Sequence, residues 1–310
     1  MLRGSLAIET VPERNDRLNS WPLVVYLDIF IAICAVSWAA PLIRLADAPS
    51  LAIAFFRMMF ASLLLLVPTL VKERSTLISL KSRDWLILLA SGFFLALHFA
   101  AWISSLAFTS VASSVVILAT QPVFAALLGF LILKDKIALM SVWGMAFAIA
   151  GSVAIGAGDF SGGARLLFGD LLSLSGAAFV SGYLLIGRSL RKSMPLLAYV
   201  FPVYLFAALI LGLICFVTRT RLGPFPAQTW AYIFLLALIP QVVGHTLFNW
   251  ALKHIRAYVV AVAALGEPIG ASILAALLFH EIPGPVIYLG GMLILVGIFL
   301  VGIFLVVYKE

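Results

Sequence analysis

The sequence predicts an all-α integral membrane protein, with ten transmembrane helices forming two inverted five-helix repeats. Three observations carry this. The 310 residues are 64% hydrophobic and 11% charged, at a mean hydropathy of +1.17, which is more apolar surface than one soluble core can bury. Apolar runs follow one another, each near the ~20 residues that cross ~30 Å of hydrocarbon as a helix. Finally, "ILATQPVFAALLGFLILKDKI" (Ile117 to Ile137) returns as "VAALGEPIGASILAALLFHEI" (Val262 to Ile282). A soluble helical protein would interrupt the runs with a polar face on every turn, and a β-barrel would show alternating segments of about ten residues. The sequence has neither pattern.

Residues 1–21 are polar and of mixed charge and read as a cytoplasmic tail. The first span, Leu23 to Ile43, holds Asp28 and Trp38. Its "AICAVSWAA" supplies small residues for cleavage, but the run is long and completes an even span count, so it reads as retained. The second, Leu51 to Leu70, carries Arg57 roughly 10 Å of rise inside its outer end. There a guanidinium either snorkels outward as an anchor or turns inward toward an anionic group. The third, Trp85 to Leu106, places His98 and Trp102 one turn apart with Ser105 on nearly the same side. Imidazole and indole suit a ring or cation ligand; the alternative is a structural histidine satisfied by its neighbours. Trp38 is a further candidate for the wall of a cavity.

The fourth span, Ala112 to Leu133, and the ninth, Tyr258 to Phe279, each hold an internal proline, Pro122 and Pro268. Each proline is expected to free a carbonyl one turn back, that of Leu118 and that of Ala264, and to act as a kink or a hinge. Glu267 precedes Pro268 at mid-depth, where an ionised carboxylate is costly unless paired, hydrated or protonated. Proton coupling, substrate contact and a structural hydrogen bond are its three readings; Gln121 stands at the matching place in the first repeat. Ala263, Ala264, Gly270 and Ala271 surround Glu267 with a small-residue strip that lets a helix approach. The eighth span, Trp230 to Leu252, carries Gln241, His245 and Asn249 every four residues on one face, a stripe that lines a polar path or bonds neighbouring helices. The sixth, Leu171 to Ile186, offers Tyr183, with Asp170 near its outer end expected to meet water. The seventh, Leu196 to Val217, holds Cys215, which like Cys34 reads as a small packing group. The fifth, Leu139 to Gly156, and the tenth, Pro285 to Val307, are rich in glycine and read as scaffold or as the contacts of a homodimer.

Topology follows from charge. With the N-terminus inside, 15 of the 20 Lys and Arg fall in the tails or in loops on the cytoplasmic side, and four, Arg44, Arg165, Arg219 and Arg221, fall outside; Arg57 is the remaining one. This asymmetry is the positive-inside pattern and puts both termini in the cytoplasm. It also accounts for the formal charge of +7 without a nucleic-acid partner. Aligning Pro122 with Pro268 needs a shift of 146, which also matches Pro49 with Pro195, Phe55 with Phe201 and Phe60 with Phe206. Two units emerge, 22–157 and 168–307. An odd number of spans per unit makes the second enter the membrane from the opposite side, a plan suited to alternating access.

The stretches "VSWAAPLIRLA" (Val36 to Ala46), "APSLAIAFFRMMFASLLLL" (Ala48 to Leu66) and "LKHIRAYVVAVAALGEPIGASILAALLFHE" (Leu252 to Glu281) resemble the two EamA domains of the drug/metabolite transporter superfamily. The resemblance implies ten helices in two inverted repeats around a central cavity, and export of small metabolites, amino acids among them, or of toxic compounds. Trp38, Arg57, Glu267, Pro268 and Glu281 fall on positions that the family pattern favours. Ala39 stands where a glycine is usual, and Gln121 where the first repeat often has glutamate.

The function expected is therefore a secondary exporter of small organic metabolites in the cytoplasmic membrane. Its substrate contacts are His98, Trp102, Gln241, His245, Asn249 and Trp38. Its coupling or hinge residues are Glu267, Pro268, Pro122 and Gln121, with Arg57 open between anchor and anion contact. The partners are a small-molecule substrate, the lipid bilayer and protons. No cofactor is expected, since no Walker motif is present, and no metal, since the histidines lack short spacing and a thiolate partner. The competing classes are an intramembrane lipid-modifying enzyme, which needs a convergent acid–base or nucleophile set, and a non-transporting structural or receptor-like protein.

Overall fold

The computed structural model describes residues 23–133, 139–160, 163–254, 260, 264 and 266–307. The expected tail at 1–21, the Lys134 to Lys136 connection and the start of the ninth span at Tyr258 lie outside the described residues. Regular structure among the described residues is helical throughout: α1 (Leu23–Ser37), α2 (Ala39–Leu45), α3 (Ser50–Lys72), α4 (Arg74–Ser79), α5 (Ser82–Ser105), α6 (Val111–Leu118), α7 (Gln121–Leu133), α8 (Leu139–Phe160), α9 (Ala164–Arg191), α10 (Leu196–Val217), α11 (Ala227–Leu236), a π-helical stretch (Ala237–His245), α12 (Thr246–His254), α13 (Gly266–Phe279) and α14 (Pro285–Val307). Among the described residues, six segments are long and apolar enough to cross a membrane: Leu27–Leu45, Ser50–Lys72, Ser82–Ser105, Ala164–Arg191, Leu196–Val217 and Ala227–Lys253. Shorter apolar helices accompany them, so the chain is a multi-pass membrane protein.

Local chemistry sets the helix ends. Pro49, Pro195 and Pro226 stand at N-caps, where a missing amide hydrogen costs nothing. Ser110 caps α6 by accepting from the Ser113 amide at 3.0 Å. Asp84 accepts from the Lys81 amide at 3.0 Å and starts α5. Arg219 (φ 53°) and His280 (φ 56°) take the left-handed conformation just past α10 and α13, which reverses the chain there.

Among the described residues, the first, fourth and eighth spans are interrupted where the sequence predicts continuous helices. The first breaks at Trp38 between α1 and α2, and the fourth at Ala119 and Thr120 between α6 and α7. In the eighth, the π-helical stretch contains Pro240. The expected role of the repeated prolines is corrected accordingly. Pro122 and Pro268 sit in the first turns of α7 and α13 rather than inside continuous helices. Nor is the Ala264 carbonyl left free, since it accepts from the Glu267 amide at 2.9 Å. A first-turn proline has no intrahelical partner to lose, so it starts a helix here rather than weakening one. Asp170 also departs from expectation: it is buried and accepts from Ser113 Oγ at 3.0 Å, because α9 begins at Ala164 and carries it inside the bundle.

Packing exchanges the two halves. α3 lies along α10 and α8 along α14, each pairing a first-half helix with its counterpart. α5 packs on α9, and in return the α11–π–α12 segment packs on α1 and α2. α6 and α7 pack on α9 as α13 packs on α1 and α2, and α5 packs on α10 as α11 and the π stretch pack on α3. This set maps onto itself when the halves are swapped, the contact pattern of a pseudo-two-fold relation. Two glycines make the α1–α13 approach possible: a Cβ at Gly270 would run into Ser37 Cβ and Oγ, and one at Gly266 into Ile33 Cγ2. Leu63, Val67, Leu209, Leu213 and Phe216 face outward and exposed, as lipid-facing side chains do.

Candidate functional site

The interruptions of the fourth and eighth spans converge on one cavity. It measures about 40 Å³ and is lined by His98 and Trp102 of α5, Leu118 of α6, Gln121 of α7, Val180, Tyr183 and Leu184 of α9, His245 of the π stretch, Phe248 and Asn249 of α12, Val260, and Glu267 of α13. That volume holds a few water molecules at most. Helical spacing explains the α5 contribution: His98 and Trp102, four residues apart, stack with ring centroids 5.9 Å apart and planes 7° from parallel. The first turns of α7 and α13 bring Gln121 and Glu267 to the same cavity from opposite halves of the chain. At the start of α13 the helix dipole favours the Glu267 carboxylate.

The hydrogen bonds fix which atoms remain available to a guest. His98 Nδ1 lies 2.9 Å from the Gly176 carbonyl, which can only accept. Nδ1 therefore carries the hydrogen, and Nε2 is the atom left for other partners. Asn249 donates from Nδ2 to Tyr183 Oη at 2.6 Å and to the His245 carbonyl at 2.7 Å. Its Oδ1 has no protein partner, and neither does Trp102 Nε1, although both residues are buried. Leaving such atoms unpaired costs on the order of 1–3 kcal/mol each. Both residues line the cavity.

Behind this wall lies Arg57, which is 0% exposed. Its Nε donates to Gln241 Oε1 at 3.0 Å, and its guanidinium carbon stands 4.1 Å above the Phe99 ring. Phe99 in turn meets His245 edge-on, with centroids 5.7 Å apart. Arg57 Nη1 and Nη2 have no protein partner, and Glu267 is the carboxylate within its electrostatic reach. Of the two expectations for Arg57, the structure places it inward.

Of the sequence-predicted site residues, the cavity joins His98, Trp102, Gln121, His245, Asn249 and Glu267. Gln241 is fully buried but bonded to Arg57 rather than lining the cavity. Trp38, 39% exposed, stands at the α1–α2 break away from it. Pro268 lines a separate apolar groove against α14, and Pro122 is buried beside Gln121. The apolar wall of Leu118, Val180, Leu184, Phe248 and Val260 went unpredicted, because an apolar residue at a cavity carries the same sequence signal as one facing lipid.

A model of the EamA-like transporter family matches this chain twice, over residues 24–157 and 167–303. The sequence is 26% identical over 208 residues to the "Uncharacterized transporter YetK" of Bacillus subtilis (strain 168), an alignment covering 66% of this chain and 62% of the relative. The chain thus spans less than two thirds of the length of that curated relative. Its fold is similar to that of a solved crystal structure of a protein, with a TM-score of 0.64 and 18% identity, over 90% of this chain and 96% of the other.

Proposed function

The chain belongs to the EamA-like transporter family, and from that premise we propose that it is a secondary transporter exporting small organic metabolites across the cytoplasmic membrane. Amino acids, related compounds and drugs are the cargo classes. The mechanism is alternating access between two inverted repeats of five spans each, with both termini cytoplasmic and with protons as the coupling ion. One observation carries the reading: the polar cavity sits where interrupted helices from both halves meet. Rocking one half against the other exposes such a site to each face in turn.

Trp102 Nε1, Asn249 Oδ1 and His98 Nε2 supply the contacts to cargo, and Tyr183 orients Asn249. Glu267 carries the coupling proton. The groups that face it are Arg57 from α3, His98 from α5, Tyr183 from α9 and His245 from the π stretch.

Efflux from proteoliposomes loaded with labelled amino acids and cationic dyes, driven by an imposed pH gradient, tests this. Glu267→Gln is expected to remove the pH dependence of efflux while the protein still purifies as a folded monodisperse species. An unchanged pH dependence takes Glu267 out of coupling, and the absence of flux for every cargo takes away the exporter reading.

A further inference from the structure

A charged cluster ties three helix ends together at one end of the bundle. Arg44, in the last turn of α2, donates from Nη1 to Glu281 Oε1 at 2.9 Å and from Nη2 to the Thr109 carbonyl at 2.6 Å. The other carboxylate oxygen, Oε2, accepts from the Val111 amide at 3.2 Å, the first amide of α6. Glu281 thus caps α6 and holds α2 at the same time. It reaches both because His280, in the left-handed conformation, folds the chain back immediately after α13. The side chains of Arg44 and Glu281 remain 29% and 27% exposed, so water can replace the partners when the cluster opens.

Three features make this cluster a gate rather than a fixed strut. It joins the two halves: Arg44, Thr109 and Val111 lie in the first family match and Glu281 in the second. It is linked to the cavity, since α6 and α13 carry cavity residues, Leu118 and Glu267, at the ends far from the cluster. Val111 stands roughly 10 Å of helical rise from Leu118. Finally, α6 is only one half of an interrupted span, parted from α7 at Ala119 and Thr120, so it can tilt without bending a continuous helix.

We propose that Arg44, Glu281 and the Val111 amide form the outer gate of the transport pathway, closed in this conformation and broken each time the cavity opens to that face. The proposal rests on the alternating-access reading. Surface ion pairs contribute little, but here one carboxylate accepts two charge-assisted bonds, one of them from the first amide of a helix.

The test reads cavity accessibility and needs no known cargo. In a Cys34→Ser/Cys215→Ala background, Leu118→Cys places a thiol in the cavity, and a membrane-impermeant maleimide is applied separately to each face of oriented vesicles. Labelling from the face carrying the cluster is expected to be slow. Glu281→Gln and Arg44→Gln each raise it about tenfold, and the double variant falls well short of the product of the two singles, because both remove the shared Arg44–Glu281 bond. Val111→Pro removes a single gate hydrogen bond at a helix position that accepts proline, after a Ser110 already extended at ψ 157°. A rise of about threefold is expected from it. Variants that label at the parent rate from the cluster face, while the thiol still reacts from the opposite face, overturn the gate and leave the transport reading standing. A double variant whose rate is the product of the two singles also overturns it. No labelling from either face in any variant overturns the alternating-access reading and the gate with it.

Discussion

Arg57 shows how a charge is held at membrane depth. Its guanidinium is buried between the face of Phe99 and the side-chain oxygen of Gln241. Both contacts need the planar, multi-donor group, because a lysine ammonium can stack or donate from that position but not both. Arg57→Lys is therefore expected to lower the unfolding free energy by about 2 kcal/mol, read as a shift in the denaturation midpoint of the purified protein. Gln241→Leu alone should cost a similar amount, since it leaves Arg57 Nε unpaired, and adding Arg57→Met to it should recover part of the loss. A fully additive double variant would show that the two side chains act separately. The sequence placed both residues inside spans, yet their pairing across 184 positions had no local signal.

At the scale of elements, the interrupted helices matter more than the prolines that drew attention to them. Pro122 and Pro268 mark where α7 and α13 begin, and these two helix starts deliver Gln121 and Glu267 to one cavity. The π-helical stretch does similar work in the eighth span: Gln241 reaches back to Arg57 while His245 lines the cavity. Wide turns of this kind recur at functional sites. The approach of α1 to α13 depends on the missing side chains at Gly266 and Gly270. Gly270→Val is expected to destabilise the protein by about 1–3 kcal/mol, measured by thermal unfolding in detergent, and Ser37→Gly in the same chain should restore part of it. An unchanged midpoint for Gly270→Val would mean that α13 shifts away from α1 at little cost. The i, i+4 spacing of His98 with Trp102 and of His245 with Asn249 was enough to place each pair on a shared face. That both faces look into the same space was not legible, because helical period says nothing about which neighbour a face meets.

At the scale of the whole molecule, contacts that exchange between the halves and a family model that matches twice describe one architecture. The proposed topology of five spans in each half puts both ends of the chain on the same side. Reporter fusions at the N- and C-terminus are expected to show cytoplasmic activity for both, and opposite faces for the two ends would rule out ten spans. The apolar segments, the doubling and the charge asymmetry were determined by the sequence itself, since hydropathy accumulates along the chain and charge counts need no partner. Only the tertiary structure decided where spans break, which buried atoms stay unpaired at the cavity, and that Arg44 meets Glu281 across 237 positions. The physical reason is that those outcomes depend on the packing of segments remote in sequence, where the energy of a polar group is set by the helix it happens to face.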